Sequence, residues 1–548
     1  MKSYLRKFWG WGDLHQSWNL REAPKFYEAL EERFGALHTD QKIPKEDEIE
    51  LPAGRLTSED LQSLGAIVGE KNIYHDHATR LYHSLGKSTV DLIQAKALKR
   101  LEAPDCVLFP KTEAEILKIL QFCASSCESS KISVVPFGGG SSVLGGVHPR
   151  KNENHRALLT LNLQCLNQVL EINPTSHTAR IQAGILGPDL EKKLNEKKYT
   201  LGHFPQSFEF STLGGWIATR GSGQFSTFYG NISDQVVSVR MVTSQGIVET
   251  RKVPASSTGP SFKEMLVGSE GIFGVITEAV MQIHPLPQKT QYQSYLFPSF
   301  EAGIEALRQI KENDLDPLIA RLSDPLETHL FLKMKKSKTS FFQKKFFSLL
   351  LKFKKIEPSK MCYLLVGFQG TSESVRAQMR SVQKICPKAL CLGQKPAQNW
   401  FHSRFQLPYL RDALLDSKIL TDTFETATSW DTVFSLYQHV LVETQKKIGS
   451  NGMVFCHVSH IYLTGACLYF TFLTKFKEDP LKQMKEIKHH VTETILKQGG
   501  TLSHHHGIGI DHRDFLKEEH GPEFVKVLKN MKQSLDPESI LNPQKVIQ

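Results

Sequence analysis

The sequence predicts an α+β protein built from several packed units, and three observations support this. The chain has 548 residues, more than one hydrophobic core usually serves. From Ala103 onward, a short apolar strand, a helix and a second strand follow one another. Between Leu158 and Pro285, apolar β-rich runs alternate with turns and short helices, as in an α+β domain.

Local signals place the individual elements. Residues 106–110 are a short apolar run that predicts a strand, and Thr112 with Glu115 has the spacing of a capping box that opens a helix. Residues 132–135 predict the next strand, which ends in a glycine loop. Between Ile448 and Thr474 the alternation of apolar and polar residues predicts two strands joined by a turn, not a membrane span.

By composition the chain divides into four parts. Residues 1–100 are predicted to be a mostly helical N-terminal segment, and residues 101–285 a first domain of strands and glycine loops. The composition shifts after Pro285-Leu286-Pro287, so residues 286–500 are expected to form a second domain that caps the first. Residues 501–548 are expected to form a C-terminal segment that completes the first domain and its functional site.

The bulk composition narrows the class of protein. An apolar content of 40% and a charged content of 23% are typical of a soluble globular protein. The 67 Lys and Arg against 57 Asp and Glu suit an anionic substrate, a phosphate-rich cofactor or an acidic membrane surface. No motif of a DNA- or RNA-binding module is present, so no nucleic acid partner is expected. Nine cysteines without a Cys-x-x-Cys pair indicate reduced thiols and an intracellular location.

Three glycine-rich loops follow one another in the first domain. They are Pro136 to Ser142, Glu209 to Gly223, and Gly268 to Glu278. Consecutive glycines let backbone N–H groups converge on an anion, because no Cβ blocks its approach. One such loop alone is more often an ordinary turn, but the ordered set suits a long phosphate-bearing cofactor that lies across the domain. Neither a Gly-x-Gly-x-x-Gly loop after a strand nor a P-loop is present.

The most unusual string is His504-His505-His506 near the C-terminus. Three imidazoles can donate or accept hydrogen bonds near neutral pH. The alternatives are a surface turn and a metal site. Adjacent residues of an extended chain face opposite sides, so these histidines cannot all bind one metal without a turn. No metal is predicted here, nor at the other candidate cluster of Cys456, His457 and His460.

These motifs resemble those of known flavoproteins. The order of the three loops resembles the FAD-binding PCMH-type domain of the vanillyl-alcohol-oxidase superfamily. The histidine triplet is similar to that of the alkyldihydroxyacetonephosphate synthase family. Other segments that resemble this family are Trp9–Gly12, Tyr229–Ile232, Tyr409–Asp412 and Gly465–Phe470, so the likeness spans nearly the whole chain.

The resemblance implies a fold, a cofactor and a reaction. The fold would be a two-part FAD-binding PCMH-type domain (residues 101–285, completed by 501–548) with an α+β cap and a helical N-terminal segment. FAD would be bound noncovalently, because Gly140 and Ser141 stand where members with covalently attached flavin carry a histidine. The reaction would exchange the acyl group of 1-acyl-dihydroxyacetone phosphate for a long-chain fatty alcohol, forming the ether bond of ether lipids.

The resemblance also implies roles for single residues. Tyr469 falls on the proton-transferring tyrosine, and His504, His505 and His506 fall on the essential histidines. Arg411 falls on the arginine that holds the substrate phosphate, and Arg321 on a second important arginine. The residues expected to bind FAD are Pro136, Phe137, Gly138, Gly139, Gly140, Ser141, Ser142, Gln206, Ser207, Phe208, Glu209, Phe210, Ser211, Thr212, Thr219, Arg220, Gly221, Ser222, Glu270, Gly271, Ile272, Phe273, Gly274, Val275 and Ile276.

Two other functions stay open at this point. One is an FAD-dependent dehydrogenase for D-lactate or another D-2-hydroxy acid on the same fold; such enzymes usually show a Glu-His-Gly tail where this chain has His-His-Gly. The other is a degenerate flavoprotein that serves as a membrane-binding scaffold. For the residues themselves, Tyr469 in an apolar strand suits a core residue with a bonded hydroxyl, and Arg411 beside Asp412 suits a surface ion pair.

A membrane surface is an expected partner. The lysine-rich segment from Ser340 to Lys355 predicts an amphipathic basic helix or lid, with Phe341, Phe342, Phe346, Phe347, Leu350 and Leu351 as its apolar stripe and Lys344, Lys345 and Lys352 beside it. The expected location is the cytoplasm, with peripheral membrane association. Relatives in animals are peroxisomal, but no targeting signal is evident, and a homodimer is left open.

Overall fold

The computed structural model describes residues 6–37, 44–124, 130–334 and 341–547. The predicted α+β class is confirmed, with three main sheets and helices packed around them. The N-terminal segment is helical in pieces separated by extended stretches. Its α-helices are α1 (Pro24–Phe34), α2 (Ser58–Val68), α3 (His77–Tyr82) and α4 (Thr89–Ala97).

The first sheet has four strands in the order β1-β2-β4-β3. These are β1 (Ile73–Tyr74), β2 (Cys106–Leu108), β3 (Ile132–Phe137) and β4 (Ala157–Asn162). The last three are parallel to one another. Helix α5 (Glu113–Cys123) connects β2 to β3, and Thr112 caps it by accepting the N–H of Glu115, as predicted. The first glycine loop therefore follows a buried parallel strand, at the carboxyl edge of the sheet.

The second sheet is antiparallel and has five strands in the order β5-β6-β10-β8-β9. These are β5 (Val169–Asn173), β6 (Thr178–Gln182), β8 (Val236–Thr243), β9 (Gly246–Glu249) and β10 (Val275–Gln282). A small ladder joins β7 (Tyr199–Thr200) to β11 (His284–Pro285). Between these strands lie α6 (Gly187–Glu196), α7 (Leu213–Ala218), α8 (Ser226–Tyr229), α9 (Ile232–Gln235) and α10 (Phe262–Leu266). The second glycine loop contains α7, and the third runs into the start of β10.

The third sheet has seven strands in the order β15-β12-β14-β13-β17-β18-β16. These are β12 (Lys289–Phe297), β13 (Ile319–Ser323), β14 (Cys362–Gly370), β15 (Leu390–Gly393), β16 (Ile419–Ser429), β17 (Met453–Ile461) and β18 (Gly465–Lys475). The predicted strand pair between residues 448 and 474 is confirmed as β17 and β18. Its helices are α11 (Phe300–Glu312), α12 (Pro325–Lys333), α13 (Phe341–Phe353), α14 (Ser372–Ile385), α15 (Lys395–Ser403), α16 (Leu407–Asp416), α17 (Trp430–Ile448) and α18 (Pro480–Lys497).

Strand register aligns three polar side chains on this sheet. Tyr469 of β18 is the register partner of Glu425 on β16 and of His457 on β17. Directly opposed residues of antiparallel strands project from the same face of a sheet. The three side chains therefore stand side by side on one rigid surface.

The C-terminal segment returns to the first sheet. Helices α19 (Leu516–His520) and α20 (Pro522–Leu535) precede it. The N–H of Val134 on β3 donates to the carbonyl of Ile540, and the N–H of Asn542 donates to the carbonyl of Val134. The tail thus adds to the outer edge of β3, next to the first glycine loop.

The lysine-rich segment forms α13, so its predicted helix is confirmed, although Ser340 and the side chains of residues 341–344 lie outside the described part. The predicted single stripe is wrong. Phe347, Leu350 and Leu351 pack against the third sheet and its helices. The exposed apolar residues are Phe346 at 63%, Leu349 at 63% and Phe353 at 81%. The helix therefore has two apolar faces. The inward-facing residues are spaced three and four positions apart, and the outward-facing residues have similar spacings but begin one position earlier in the chain.

None of the described helices is both long enough and apolar enough to span a bilayer.

Candidate active site

One large cavity collects most of the residues that the sequence singled out. It has a volume of about 910 Å³ and is lined by the glycine loops, the third sheet, the N-terminal segment and the histidine turn. That is in the upper part of the range for small-molecule and cofactor sites. The site is therefore built from parts that are far apart in sequence.

The whole of the first loop lines this cavity. All seven predicted residues, Pro136 to Ser142, face it. The loop packs tightly on the second loop: a Cβ on Gly139 would lie 1.9 Å from the carbonyl oxygen of Phe210. Gly140 has a φ of +67°, a conformation that glycine adopts without strain. The backbone, not side chains, therefore forms this wall.

In the second loop, some of the residues predicted to bind FAD line the cavity and others do not. Those on the cavity are Gln206, Ser207, Ser211, Thr212, Thr219, Gly221 and Ser222. Phe208 is buried against Trp216, and Phe210 packs against Arg6. Glu209 is half-buried off the cavity wall, and Arg220 turns outward to Glu264.

The third loop is similarly divided. Glu270, Gly271, Gly274 and Ile276 line the cavity. The other three predicted residues, Ile272, Phe273 and Val275, are buried in the hydrophobic cores behind the cavity wall. Gly271, at a φ of +79°, packs against Pro136 of the first loop. The three loops thus form one continuous wall.

Tyr469 projects into the cavity from β18. Its hydroxyl donates to Thr423 Oγ1 at 3.0 Å, and its ring stacks on His457 with centroids 5.0 Å apart. The rings of His505 and His506 have centroids 6.0 and 5.7 Å from that of Tyr469. Burial raises the pKa of Tyr469 to about 12, so the resting side chain is a phenol.

The histidine triplet forms a turn that faces Tyr469. His505 and His506 line the cavity, while His504 lies behind them and contacts the hydroxyl of Tyr462 through Nε2 at 2.5 Å. Nδ1 of His504 and Nδ1 of His505 are 2.8 Å apart, so one of them carries a proton. Burial lowers the pKa of His504 and of His505 to about 3 and also lowers that of His506. The rings are therefore neutral at physiological pH.

The two predicted arginines also line the cavity but differ in their partners. Arg411 donates through Nη1 to the carbonyl of Lys87 at 2.8 Å, and its buried Nε and Nη2 have no hydrogen-bond partner among the described residues. Arg321 donates to Ser323 and Glu327 and contacts His457. Arg411 therefore has donors free for an anion, whereas Arg321 is engaged by the protein.

The cavity continues from the polar centre into an apolar limb. Along β18, Thr471 and Leu473 follow Tyr469 at every second position on the same face. The other apolar walls of the limb are Ala23, Phe26, Leu330, Met334, Leu410, Leu414 and Phe455. At a rise of about 3.4 Å per residue, Leu473 lies roughly 14 Å beyond Tyr469.

Comparisons with known proteins agree with this architecture. Residues 104–251 match the family model described as an FAD binding domain, and residues 286–546 match the one described as the C-terminal domain of FAD linked oxidases. An alkyldihydroxyacetonephosphate synthase of Dictyostelium discoideum is 37% identical over 86% of this chain and 78% of its own length. The chain belongs to the alkyldihydroxyacetonephosphate synthase family.

Structure places the chain in this family as well. A solved alkyldihydroxyacetonephosphate synthase superposes with a TM-score of 0.85 at 32% identity, with 99% of each chain covered. By contrast, a mitochondrial D-lactate dehydrogenase of Arabidopsis thaliana is 23% identical over 87% of this chain and 78% of its own length. The synthase resemblance is thereby confirmed, and the comparisons favour it over the dehydrogenase alternative.

FAD is the cofactor of this FAD-dependent enzyme. The structure fits that assignment, because the three loops turn backbone and small polar side chains toward one cavity. Gly221 lines the cavity, and a Cβ added to it would make only ordinary van der Waals contacts, the nearest at 3.6 Å to Thr219 and Trp216. The residues that would hold FAD are those loop residues that line the cavity.

Several site residues escaped the sequence analysis. Glu425 lies under the histidine turn, and Glu327 pairs with Arg321 and His457. Burial alone would raise the pKa of Glu327, but Arg321 and His457 lower it to about 2. Arg6 reaches the carbonyl of Gly139 at 3.1 Å and so ties the N-terminal segment to the first loop. The only available sequence signal was a carboxylate within a threonine-rich, strand-forming run, which Glu425 supplies.

Two groups of side chains come close enough to suggest a metal. Ligand atoms of His460, Cys467, His504 and His505 lie within 4.8 Å of one another, and so do those of Glu425, His505 and His506. The chemistry is unfavourable, because burial raises the pKa of Cys467 well above its usual value and keeps the thiol protonated. His460 also contacts the carbonyl of Gly223 and the hydroxyl of Ser459 through its two ring nitrogens. These contacts suit a hydrogen-bond network.

Proposed function

We propose that this chain exchanges the acyl group of 1-acyl-dihydroxyacetone phosphate for a long-chain fatty alcohol, which forms an ether bond. One observation carries the proposal: a single cavity joins the three cofactor loops, the unpaired donors of Arg411 and the apolar limb. A substrate with a phosphate at one end and a fatty chain at the other matches these features.

Binding follows from the charges and surfaces of the cavity. The free Nε and Nη2 of Arg411 suit the fork-like recognition of a phosphate. A fatty chain gains about 0.8 kcal/mol for every methylene that leaves water for the apolar limb. Holding both ends fixes the reacting carbon between Tyr469 and the cofactor loops.

Proton transfer is assigned to the tyrosine and the histidines. The loop residues that line the cavity would hold FAD, which would supply an electrophilic centre for the substrate carbon. The neutral rings of His505 and His506 can accept a proton from the carbon next to the ketone or from the incoming alcohol. Tyr469 is protonated at rest, so its hydroxyl donates first, toward the departing carboxylate.

An anaerobic turnover assay tests the function. The exchange leaves FAD in its original oxidation state, so many turnovers need no electron acceptor. Purified enzyme without oxygen, given acyl-dihydroxyacetone phosphate and a labelled hexadecanol, should release free fatty acid and labelled ether in equal amounts. Bleaching of the flavin by a D-2-hydroxy acid, with no labelled ether formed, would establish the dehydrogenase instead.

We further propose that α13 docks on a membrane surface. Phe346, Leu349 and Phe353 are exposed on it, and Lys345 and Lys352 lie among them. Its inner face packs with Phe331 of α12, a residue that lines the cavity. Exposed apolar side chains with flanking lysines favour an interface with anionic lipid. An opening at this position, beside the apolar limb, would let both lipid substrates pass from the membrane into the cavity.

Vesicle sedimentation tests this docking surface. The triple change Phe346→Ser, Leu349→Ser and Phe353→Ser should abolish pelleting with vesicles that contain phosphatidylserine. The matched control is Phe524→Ser with Val527→Ser, which removes two exposed apolar residues of α20. Equal binding by both variants would refute the docking face. The intracellular location stays a prediction of the sequence, and the homodimer stays open.

A further inference from the structure

The histidine turn has an unusual backbone. Its N–H groups from residue 504 to residue 509 all donate to side chains, and none of these bonds is of the helix or sheet type. Glu425 Oε2 accepts from His504 at 2.6 Å, and Glu425 Oε1 accepts from His505 at 3.1 Å and from His506 at 3.0 Å. The hydroxyl of Ser503 accepts from His506 and Gly507 and itself donates to Glu425 at 2.7 Å.

A second carboxylate holds the far end of the same turn. Glu270 of the third glycine loop accepts from the N–H of Ile508 at 2.6 Å and of Gly509 at 2.9 Å. Glu425 belongs to the third sheet and Glu270 to the cofactor loops. The turn is thus clamped between carboxylates from the two halves of the site.

This arrangement leaves the turn no backbone donor for a substrate oxyanion. Whatever the turn contributes to the reaction must come from the imidazole rings, and the positions of the rings depend on the carboxylate beneath them. The side chain of Glu425 is only 1% exposed. A buried carboxylate with four donors around it has few alternative positions, so it can impose one backbone conformation.

Glu425 also places a negative charge next to the imidazole rings. His505 Nδ1 and His506 Nδ1 lie 3.6 and 3.5 Å from its oxygens. Burial alone would raise the pKa of Glu425, but the adjacent histidines hold it well below its usual value. Within the described part of the chain, the other titratable or charged groups that face the three rings are Asp422 of β16, His457 and His460 of β17, Tyr462 in the turn between β17 and β18, Cys467 and Tyr469 of β18, and Lys488 of α18.

We propose that Glu425 is a positioning residue of this enzyme: it shapes the turn of residues 503–509 and supplies the negative charge against which the histidine triplet takes up protons. No ring of the triplet would keep its place or its proton affinity without this carboxylate. The inference rests on the proposed function only where turnover is measured.

The test is Glu425→Gln in the FAD-loaded enzyme. The glutamine keeps the size of the side chain but removes its charge, and its amide N–H₂ group faces backbone N–H donors. We expect turnover to fall on the order of 100-fold or more, as for loss of oriented acid–base groups. Loss of a nearby anion lowers histidine pKa values, so the histidine limb of the pH–rate profile should move about one unit toward acid.

A second readout does not need turnover. The absorption band of bound FAD should titrate with the histidines, and its midpoint should move to lower pH in Glu425→Gln. If wild-type enzyme makes no ether but this midpoint still moves, the proposed reaction fails and the role of Glu425 stands. The matched control is Asp105→Asn, a buried carboxylate that holds the N–H groups of Arg55 and Leu158 at the opposite end of the first sheet. It should leave both profiles unchanged.

If Glu425→Gln does not fold or retain FAD, Glu425→Asp carries the test. The aspartate keeps the negative charge, but its side chain is one methylene shorter, so the charge lies farther from the histidine turn. We expect roughly 10-fold slower turnover with an unmoved midpoint, because geometry changes and charge does not. Wild-type turnover in Glu425→Asp, or an unshifted pH profile in a folded Glu425→Gln enzyme, overturns the proposal.

Discussion

Glu425 and Tyr469 are register partners on neighbouring antiparallel strands, and both side chains meet the histidine turn. The carboxylate holds the backbone of the turn from below, while the phenol faces the rings. Because one hydrogen-bonded ladder sets both positions, the separation of the carboxylate from the phenol does not depend on a loop. The site therefore has a rigid floor under a turn of irregular backbone.

Removal of the phenol should stop the reaction without disturbing the fold. In Tyr469→Phe the ring still stacks on His457, but the hydroxyl that bonds Thr423 is lost. We expect turnover to fall on the order of 1,000-fold, within the range for an acid–base group, with FAD content unchanged. The control is Tyr295→Phe, a buried tyrosine of β12 outside the cavity. A Tyr469→Phe enzyme with near-normal turnover would show that the tyrosine is structural.

Arg411 should govern affinity for the phosphate more than the rate of the chemical step. Arg411→Lys keeps a positive charge but cannot offer Nε and Nη2 together. We expect KM for acyl-dihydroxyacetone phosphate to rise on the order of 10- to 100-fold, with a smaller change in kcat. Arg308→Lys, at a partly exposed arginine paired with Glu305, is the control. If kcat fell and KM stayed constant, Arg411 would act on the transition state instead.

The sequence predicted those parts of the site that depend on local pattern. The glycine loops, the β17–β18 pair and the identities of Tyr469 and the histidines all follow from contiguous motifs. Glu425 did not, because its partners lie 78 to 81 residues away and meet it only through strand pairing. The exposed side of α13 was missed for a related reason. Two apolar sets shared one helix, and only the packing decided which of them turned inward.

Noncovalent attachment of FAD remains a prediction, and a simple separation tests it. The first loop, Pro136 to Ser142, contains no histidine, and its only nucleophilic side chains are the hydroxyls of Ser141 and Ser142. Acid precipitation should therefore release all the yellow colour into the supernatant. Colour that remains in the washed pellet, and in the peptides from its digestion, would reveal a covalent bond.

A buried carboxyl outside the cavity should make stability depend on pH. Burial raises the pKa of Asp324 to about 7, from an ordinary 3.8. The folded state therefore binds this proton more tightly than the unfolded chain. Its contribution is full below about pH 4 and is lost as the pH rises toward 7, with a slope of up to about 1.4 kcal/mol per pH unit. Urea unfolding between pH 5 and pH 8 should show a flatter profile for Asp324→Asn. Asp431→Asn, at an exposed aspartate, should keep the wild-type slope.

The apolar limb should determine the preferred length of the fatty alcohol. Ala23, at the start of α1, is 3% exposed to solvent and lines the limb together with Phe26. A phenylalanine in place of Ala23 fills part of the limb, so distal methylenes must stay in water at about 0.8 kcal/mol each. For Ala23→Phe we expect the ratio of kcat/KM for octadecanol over decanol to fall on the order of 100-fold, which corresponds to loss of three or four methylene contacts. Phe26→Ala enlarges the same space and should shift the preference toward longer alcohols. Parallel changes in both variants, or equal losses for every chain length, would show that α1 is a structural support and not the end of the limb.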